Sequence, residues 1–581
     1  MRALLQRFAV WDGAPPLVAA VLMAVVVLPW LGEPPLAGAE GHRVMPARAM
    51  LESGDFVVPE LVGEVYLRKP PGMFWLLAGS QAILGDHGWA WRLPSALSGM
   101  LLAAGLAWMG RRWYGLWGGW AAAIGGAALV PLWSQWRAAD IDSINTLTSF
   151  AAAIALLVLL VGHPRRRWAW SVLLTISLAA TLLLKLHAGL SLVGGALIAG
   201  TILGGLRAAG RPGVWLGLTG GVGLFLAWVV AVVVRVGDGG DARGVEEAAL
   251  NVFRFSRLLG ALEAQALLLL YTLPLSLTLV LLPRMLRRPP VTGVMHDRHR
   301  LTPALLLTLG IGHALLLING VSNPRYGYVL LPMWPLLCAA VAAAWRDGVL
   351  LDREKRFVEW VLAVTAVALP VAAVVLAVMQ LKREGHGLVG VEATLWVAII
   401  GGGAAAVVSL VFWGKRQRLR GIACVALGVG VLALPMSVLQ TYKRYERSGR
   451  EAGQVVASVV PAGTRVLADA LVRDKPEVFA YSQGVRGVSR QGLFADPAST
   501  SLEVGTWVAM TQAEWRRWNR AMERGESQLL DRVSVLPTRD DRPAILARVG
   551  IDRRLRSDRP RVFHHAAAQP LFEETCTCLT W

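Results

Sequence analysis

The chain has 581 residues, of which 55% are hydrophobic and 17% are charged, and its mean hydropathy is +0.50. Soluble proteins carry about 25% charged residues, so this composition excludes an ordinary water-soluble globular protein. The formal net charge is +19, but the basic residues cluster in short loops between apolar runs. That distribution argues against a nucleic-acid partner and favours a membrane topology.

Apolar segments of membrane-spanning length recur along the chain. A spanning helix needs about 20 mainly apolar residues. Candidate spans lie at approximately 14–33, 91–110, 115–133, 144–162, 168–184, 188–206, 213–234, 263–283, 301–319, 327–345, 357–379, 391–413 and 420–439. The shorter apolar segment 72–85 follows Pro70 and Pro71 and is predicted to be an interfacial helix. We therefore expect about 13 transmembrane helices.

The basic residues predict the orientation of these spans. If the N-terminus is cytoplasmic, the loops after even-numbered spans carry 20 Lys and Arg residues. The short opposite loops carry five, namely Arg137, Lys185, Arg325, Lys382 and Arg383. Because cytoplasmic loops are enriched in Lys and Arg, this asymmetry predicts a cytoplasmic N-terminus and a C-terminal tail on the far side.

Three longer segments are predicted on that far side: 34–90, 235–262 and a tail from about 440 to the C-terminus. The tail contains strand candidates at 465–468, 506–510 and 533–536, and a helical stretch at 512–524 lies between them. This alternation predicts a small α/β domain. The expected architecture is a mainly α transmembrane domain over 1–440 and an α/β domain over 441–581 on the far side of the membrane, which is the periplasm if the protein is bacterial.

The first far-side loop places a carboxylate and a cation close to the membrane surface. Glu40 closely follows the first span, and Lys69 precedes the interfacial segment. A carboxylate can take the proton from an acceptor hydroxyl, and a cation can stabilise charge developing on a leaving phosphate. The alternative is that Glu40 and Lys69 are ordinary solvated loop charges.

Two further charged groups are predicted at the same side of the membrane. Asp140 and Asp142 stand at the mouth of the fourth span, and Arg325 and Tyr326 open the tenth. Charge at a membrane boundary is often functional, and groups of both signs suit a phosphate-bearing amphiphile. Asp140 could instead cap a helix. The two aspartates could also hold a divalent cation through oxygen ligands, although no clear metal-ligand spacing is present.

The sequence resembles a known family in several blocks. The first-loop pattern comprises Glu40, the run 47–59, Gly63, Tyr66, Lys69-Pro-Pro and Trp75. It resembles the first loop of bacterial membrane glycosyltransferases of the C class, the family of protein O-mannosyltransferase and lipid A aminoarabinose transferase. Arg92-Leu-Pro-Ser-Ala-Leu, Asp140-Ile-Asp and Asn323-Pro-Arg-Tyr-Gly-Tyr-Val-Leu-Leu-Pro resemble later blocks of that family.

The resemblance implies a GT-C fold and a bacterial inner-membrane enzyme that uses a polyprenyl-phosphate-linked sugar. It also implies inversion at the anomeric carbon and an acidic first-loop residue as base. Several members carry Asp-Glu where this chain has Ala39-Glu40, so Glu40 is the predicted base and Asp140 or Asp142 the alternative or helper. The predicted contacts to the substrate phosphate are Lys69, Arg325, Tyr326, Lys185 and Arg43.

These patterns are compatible with three functions. The leading prediction is transfer of a sugar, hexosyl or pentosyl, from a polyprenyl phosphate to a lipid or protein acceptor, as in lipid A modification or protein O-mannosylation. The first alternative is a transporter or flippase of lipid-linked material, which predicts broken helices in corresponding halves. The second is a binding or scaffold protein in which the tail acts. No cofactor is required by the leading prediction.

Overall fold

The computed structural model describes residues 11–162, 164–236, 258–281, 298–381, 391–414, 418–490, 492–528, 530–536 and 544–549. Most of the predicted far-side segment 235–262, and the tail beyond residue 549, lie outside the described residues. The helices of the apolar part are α1 (Ala14–Val27), α2 (Gly41–Ser53), α3 (Gly72–Leu84), α4 (Gly88–Ala127), α5 (Val130–Trp136), α6 (Ile141–Leu160), α7 (Arg167–Leu184), α8 (Leu186–Gly204), α9 (Leu206–Ala209), α10 (Pro212–Val236), α11 (Leu258–Tyr271), α12 (Arg298–Ile318), α13 (Met333–Arg346), α14 (Asp352–Leu381), α15 (Val391–Gly414) and α16 (Arg418–Arg447). Short 3-10 helices occur at Gly38–Glu40, Leu275–Leu281 and Pro324–Leu330.

Eight of the described helices are long and apolar enough to cross a membrane, and ten spans result if each of two bent pairs counts as one. The bent pairs are Leu259–Tyr271 with Leu275–Leu281, at 94°, and Pro324–Leu330 with Met333–Arg346, at 43°. The total of about 13 predicted from sequence is higher for two reasons. Helix α1 and the apolar segment Ala188–Gly204 of α8 are too short to count, and α4 covers one predicted span and most of a second.

Helix α4 is a helical hairpin. Gly115 adopts φ 78° and interrupts the helical backbone, and only glycine takes this conformation without strain. The chain reverses direction there. The evidence is the close approach of the two arms: a Cβ built on Gly110 would lie 2.5 Å from the carbonyl oxygen of Gly118. Small residues let two membrane helices approach this closely. The predicted span at 91–110 therefore lies in its first arm, and the second arm covers most of the predicted span at 115–133, whose last residues lie in α5.

Most of the apolar helices share one large core, and smaller apolar clusters join α14, α15 and α16. Helix α4 packs on α1 and α13, α6 packs between α7 and α8, and α14, α15 and α16 pack on one another. Trp133, Trp136 and Trp334 are enclosed in the first group. Helix α6 is the most enclosed candidate span, with 83% of its apolar window buried. The residues at its first turn are therefore held firmly at one end of the bundle.

A mixed sheet follows the last apolar helix. Its strands are β3 (Arg465–Ala468), β4 (Arg486–Ser489), β5 (Trp507–Thr511), β6 (Leu530–Leu536) and β7 (Ala544–Val549), in the order β4-β3-β5-β7-β6. The pairs of β3 with β4 and β5 are parallel, and the pairs of β7 with β5 and β6 are antiparallel. The accompanying helices are α17 (Arg450–Val459), α18 (Ala470–Asp474), a 3-10 helix (Pro476–Tyr481) and α19 (Gln512–Glu523). The predicted α/β character of this region is confirmed.

The first loop is held between the helical bundle and this sheet region. A short hairpin, β1 (Glu60–Leu61) and β2 (Glu64–Val65), lies within the loop. Leu61 belongs to the same apolar cluster as Val456 and Val466 of the sheet region. The backbone N–H of Ser489 also donates to the carbonyl of Val62 at 2.9 Å. The loop is therefore packed on both sides and presents its charged residues in fixed positions.

Candidate active site

Glu40 is a buried carboxylate with a full set of donors. Arg92 binds it in a bidentate manner: Nε donates to Oε1 and Nη2 donates to Oε2, each at 2.8 Å. Arg444 Nη1 donates to Oε1 at 3.1 Å. The backbone N–H groups of Ala139 and Ala37 donate to Oε1 and Oε2 at 2.9 and 3.2 Å. Both oxygens are thus occupied, and the carboxylate joins the first loop to three other segments.

Arginines outnumber the carboxylate in this region, which we call the Glu40 cluster (Glu40, Arg92, Arg137 and Arg444). Burial alone would raise the pKa of Glu40, but Arg92 and Arg444, with the donated hydrogen bonds, lower it to about 2. Burial and the charges of Arg444 and Arg92 lower the pKa of Arg137 to about 9. Glu40 is therefore ionised at neutral pH and a weak base in this arrangement.

The excess arginines of the Glu40 cluster bind backbone carbonyls. Arg92 Nη1 and Nη2 donate to the carbonyls of Leu31, Pro34 and Pro35 at 2.8–3.0 Å. Arg137 donates to three carbonyls at and just beyond the end of α1, those of Val26, Val27 and Pro29, at 2.6–3.1 Å. A helix end leaves its last carbonyls without intrahelical donors. The two arginines therefore fix the chain where it leaves α1 and turns into the first loop.

A second group of charges lies at the start of α6; we call it the aspartate cluster (Asp140, Asp142, Lys185 and Arg325). Lys185 Nζ is 2.6 Å from Asp142 Oδ1, and Arg325 Nε is 2.5 Å from Asp142 Oδ2. Arg325 Nη2 also pairs with Asp140 Oδ2. The segments after α5, after α7 and before α13 therefore meet at one point.

The local backbone explains how the aspartate cluster forms. Asp140 is the N-cap of α6 and accepts the N–H of Asp142 at 3.3 Å, so the predicted capping role is confirmed. Asn323 accepts the N–H of Arg325 in the same way at 3.0 Å. Lys185 lies in extended backbone between α7 and α8, with Nζ 4.0 Å from the ring centre of Tyr326. These caps direct the side chains toward one another.

Lys69 and Arg43 bring further positive charge beside the aspartates. Burial and the neighbouring charges of Lys185 and Arg43 lower the pKa of Lys69 to about 8. Within the described residues Lys69 makes no ion pair of its own. Arg43 is 8% exposed, and its Nε is buried without a hydrogen-bond partner in the part of the chain that the structure describes. Unpaired hydrogen-bond donors that are surrounded by other positive charges are well suited to bind an anion.

The structure brings the predicted site residues to the same end of the helical bundle. Glu40 follows α1, Asp140 and Asp142 begin α6, and Lys185 follows α7. Arg325 and Tyr326 begin the 3-10 helix before α13. Lys69 and Arg43 come from the first loop. Of these, Glu40 belongs to a separate cluster, and the other charged residues form one group with four cations and two carboxylates.

Two groups of residues in this region were not predicted from the sequence as site residues. Arg92 and Arg444 are the partners of Glu40, although they are 52 and 404 positions away. Gln135 accepts from Arg325 Nη2 at 3.1 Å. One signal was available for Arg92, which is a charged residue at the start of a long apolar run in the first arm of α4 and is 0% exposed.

Metal binding finds little support in the described residues. No group of three or more His, Cys, Asp or Glu side chains suited to a metal ion occurs among them. The carboxylates of Asp140 and Asp142 face Arg325 and Lys185. The described arrangement is thus a group of Lys and Arg side chains, some of them paired, around two carboxylates.

Comparisons with known proteins extend this description. Residues 68–231 match the family model described as dolichyl-phosphate-mannose-protein mannosyltransferase. Over 52 residues the chain is 38% identical to undecaprenyl phosphate-alpha-4-amino-4-deoxy-L-arabinose arabinosyl transferase of Pseudomonas savastanoi pv. phaseolicola, covering 9% of this chain and 10% of that protein. It is 44% identical over 52 residues to a protein of that description from Pseudomonas fluorescens, covering 9% of each. The matched segments span about a tenth of the length of these curated relatives.

The likeness in three dimensions covers nearly the whole molecule. ArnT from Cupriavidus metallidurans bound to undecaprenyl phosphate matches with a TM-score of 0.63 and 21% identity, over 91% of this chain and 97% of that chain. ArnT from the same organism in the apo state matches with a TM-score of 0.59 and 20% identity. The chain is a polytopic membrane protein with the GT-C fold, and its predicted resemblance to the C-class glycosyltransferase family is confirmed.

Proposed function

We propose that the chain is a membrane glycosyltransferase that takes a sugar from a polyprenyl-phosphate donor and transfers it to a lipid or protein acceptor at the periplasmic face of the inner membrane. The observation that carries this proposal is the position of Lys69 and Arg43. They are cations without carboxylate partners among the described residues, beside two buried carboxylates, where apolar helices end. Such a place suits a lipid whose headgroup is a phosphate-linked sugar.

The donor phosphate is assigned to the cations of the aspartate cluster and the first loop. Lys69 and Arg43 offer free donors, and Lys185 and Arg325 can turn from the aspartates toward a stronger anion. Tyr326 lies under Lys185 and limits where its ammonium group can go. As the sugar leaves, negative charge grows on the phosphate oxygen, and preorganised cations stabilise it. A leaving phosphate of low basicity needs no general acid.

The transfer step is a single displacement. A carboxylate takes the proton of the acceptor, and the acceptor oxygen forms a bond to the anomeric carbon. The bond from that carbon to the phosphate oxygen breaks, and its electron pair leaves with the polyprenyl phosphate. Attack from the opposite face inverts the anomeric configuration.

We assign the base to the Asp140 and Asp142 pair and a positioning role to Glu40. Both oxygens of Glu40 already accept hydrogen bonds, and its pKa of about 2 makes it a weak base. The partners of the aspartates are Lys185 and Arg325, which an arriving phosphate can attract away. The predicted role of Glu40 as base remains the alternative, and mutation distinguishes the two.

The relatives indicate the class of sugar and acceptor. The curated proteins similar to this chain are named for 4-amino-4-deoxy-L-arabinose carried on undecaprenyl phosphate. We therefore propose an aminopentose on undecaprenyl phosphate as donor, with lipid A as the acceptor in preference to protein. The periplasmic placement rests on the excess of Lys and Arg residues in the loops at the opposite ends of the spans, which carry 20 of them against five in the short loops on the side of the site.

The test is transfer of labelled sugar from a synthetic undecaprenyl-phosphate donor by the purified full-length protein in lipid nanodiscs. Wild type is compared with Lys69→Met, Asp140→Asn, Asp142→Asn and Glu40→Gln. Lys443→Met is the control, since Lys443 is an exposed lysine at the end of α16. We expect transfer by wild type and the control, and loss in Lys69→Met. No transfer with aminopentose or hexose donors, together with movement of labelled lipid across vesicles, would favour the flippase alternative.

A further inference from the structure

Arg444 connects three parts of the molecule. It stands near the end of α16, the last apolar helix, just before the sheet region begins. Its Nη1 donates to Glu40 at 3.1 Å, and its Nη2 donates to the carbonyl of Ser134 at 3.3 Å. Ser134 belongs to α5, which leads into Asp140. One side chain therefore touches the first loop and the segment that presents the aspartates.

The chain that follows Arg444 makes a continuous set of contacts with the first loop. The backbone of Ser448 forms an isolated antiparallel β-bridge with that of Ala37. The hydroxyl of Tyr481 accepts the N–H of Leu36 at 2.5 Å. These contacts surround the loop residues immediately before Glu40. The sheet region and the start of the loop are thus fastened together at both backbone and side-chain level.

The same contacts determine where Arg43 lies. Helix α2 begins at Gly41, directly after Glu40, and Arg43 stands in its first turn. The start of α2 is packed closely, because a Cβ built on Gly41 would lie 3.0 Å from the backbone nitrogen of Glu477 in the sheet region. Arg43 Nη1 is 3.5 Å from the hydroxyl of Tyr66, and Lys69 follows three residues later. A displacement of Glu40 therefore moves the free cations relative to the aspartates.

We propose that Arg444 is a positioning residue through which the C-terminal sheet region holds Arg43 and Lys69 in place for the donor phosphate. This inference rests on the proposed function and gives the sheet region a role in donor binding. The end of α16 supplies the guanidinium group that binds Glu40. The chain that follows supplies the contacts of Ser448 and Tyr481 with the loop residues just before Glu40. Arg444 acts through Glu40, with which it forms an ion pair.

The role can be separated from folding, because Arg92 alone still pairs with both oxygens of Glu40. Removal of Arg444 leaves that bidentate pair and the two backbone donors. We therefore expect Arg444→Met to fold and to bind donor less well. Arg444→Lys keeps the charge but cannot reach Glu40 and Ser134 together, so it restores part of the binding. Arg447→Met, an exposed arginine on the same helix, is the matched control.

Two measurements on the full-length protein test the inference. In transfer assays, we expect Arg444→Met to raise the KM for undecaprenyl-phosphate sugar about tenfold, with kcat within about twofold of wild type. Hydrogen exchange should be about tenfold faster over residues 36–66 in Arg444→Met than in Arg447→Met, because a local anchor is lost.

The outcomes separate the inference from the proposed function. An unchanged KM together with unchanged exchange over the first loop overturns the inference. A fall in kcat with no change in KM also overturns it, since that would place Arg444 in the chemical step. If wild type transfers no sugar at all, the proposed function fails, whereas faster exchange in Arg444→Met would still support the contact between the sheet region and the loop.

Discussion

Glu40 and Arg92 form a two-armed ion pair in which each oxygen of the carboxylate lies 2.8 Å from a guanidinium nitrogen. The side chain of Arg92 is 0% exposed and that of Glu40 is 4% exposed. A buried pair of this kind contributes little net stability, but breaking it leaves a charge without compensation. The pair joins the first loop to the first arm of α4, and acid pH should therefore loosen the whole site.

The first prediction concerns stability at low pH. The pKa of Glu40 is lowered from 4.5 to about 2 in the folded protein. Its contribution to stability is therefore complete above about pH 4.5 and is lost as the pH falls toward about 2. Glu40→Gln should lower the free energy of unfolding at neutral pH by about 3–5 kcal/mol, because Arg92 stays buried without a counter-charge.

The check is the melting temperature in detergent, measured from neutral pH into this acid range. Wild type should lose stability over the acid range, and Glu40→Gln should start lower and lose less. Equal melting temperatures for the two proteins at neutral pH would contradict the buried pair.

The second prediction concerns donor binding at high pH. Lys69 has a pKa of about 8, so it loses its charge above that pH in the free protein. We expect the KM for the donor to rise by up to about tenfold per pH unit above this point. Lys69→Arg should remove most of that rise, because arginine stays charged.

A stability measurement distinguishes this effect from alkaline unfolding. The folded pKa lies below the ordinary value of 10.5, so the unfolded chain binds more protons between the two values. Stability attributable to Lys69 therefore increases with pH across this window. A melting temperature that falls in parallel with donor binding would show that the loss of binding has another cause.

The third prediction compares the two aspartates with Glu40. Asparagine caps a helix as well as aspartate does, so Asp140→Asn should leave the start of α6 intact. If either aspartate takes the acceptor proton, its Asn variant should lose about 10²–10⁴-fold in kcat. Single-turnover transfer with pre-bound donor measures this step directly. Wild-type kcat in both Asn variants, with a loss confined to a folded Glu40→Gln protein, would return the role of base to Glu40.

Much of the site could be predicted from sequence because its residues stand where apolar runs end on one side. Three of the five basic residues in the short loops predicted on the far side are Arg137, Lys185 and Arg325. Each has a specific partner in the structure. A basic residue on the side that the positive-inside rule disfavours is retained for a reason. The other two fall outside the described residues.

The partners of these residues could not be predicted in the same way. Arg444 meets Glu40 across 404 positions, and no periodicity relates residues that only tertiary packing brings together. The strands β4 and β7 were missed for a local reason. Strand β4 contains an arginine, a glycine and a serine among its four residues, and β7 contains an arginine within a short apolar run. Short strands are recognised mainly through the neighbours they pair with, which sequence patterns do not reveal.

The last prediction concerns the contact between the sheet region and the first loop. Tyr481→Phe removes the hydroxyl that accepts the N–H of Leu36 and leaves the ring in place. An unsatisfied buried N–H costs about 1–3 kcal/mol, so the melting temperature should fall, and the donor KM should rise with it. Thr511→Ala is the control, since it removes the cap of α19 at a similar expense of about 1 kcal/mol without touching the loop. The two variants should therefore match in stability and differ in donor KM. Equal KM values would mean that the sheet region stabilises the protein without influencing how donor is held.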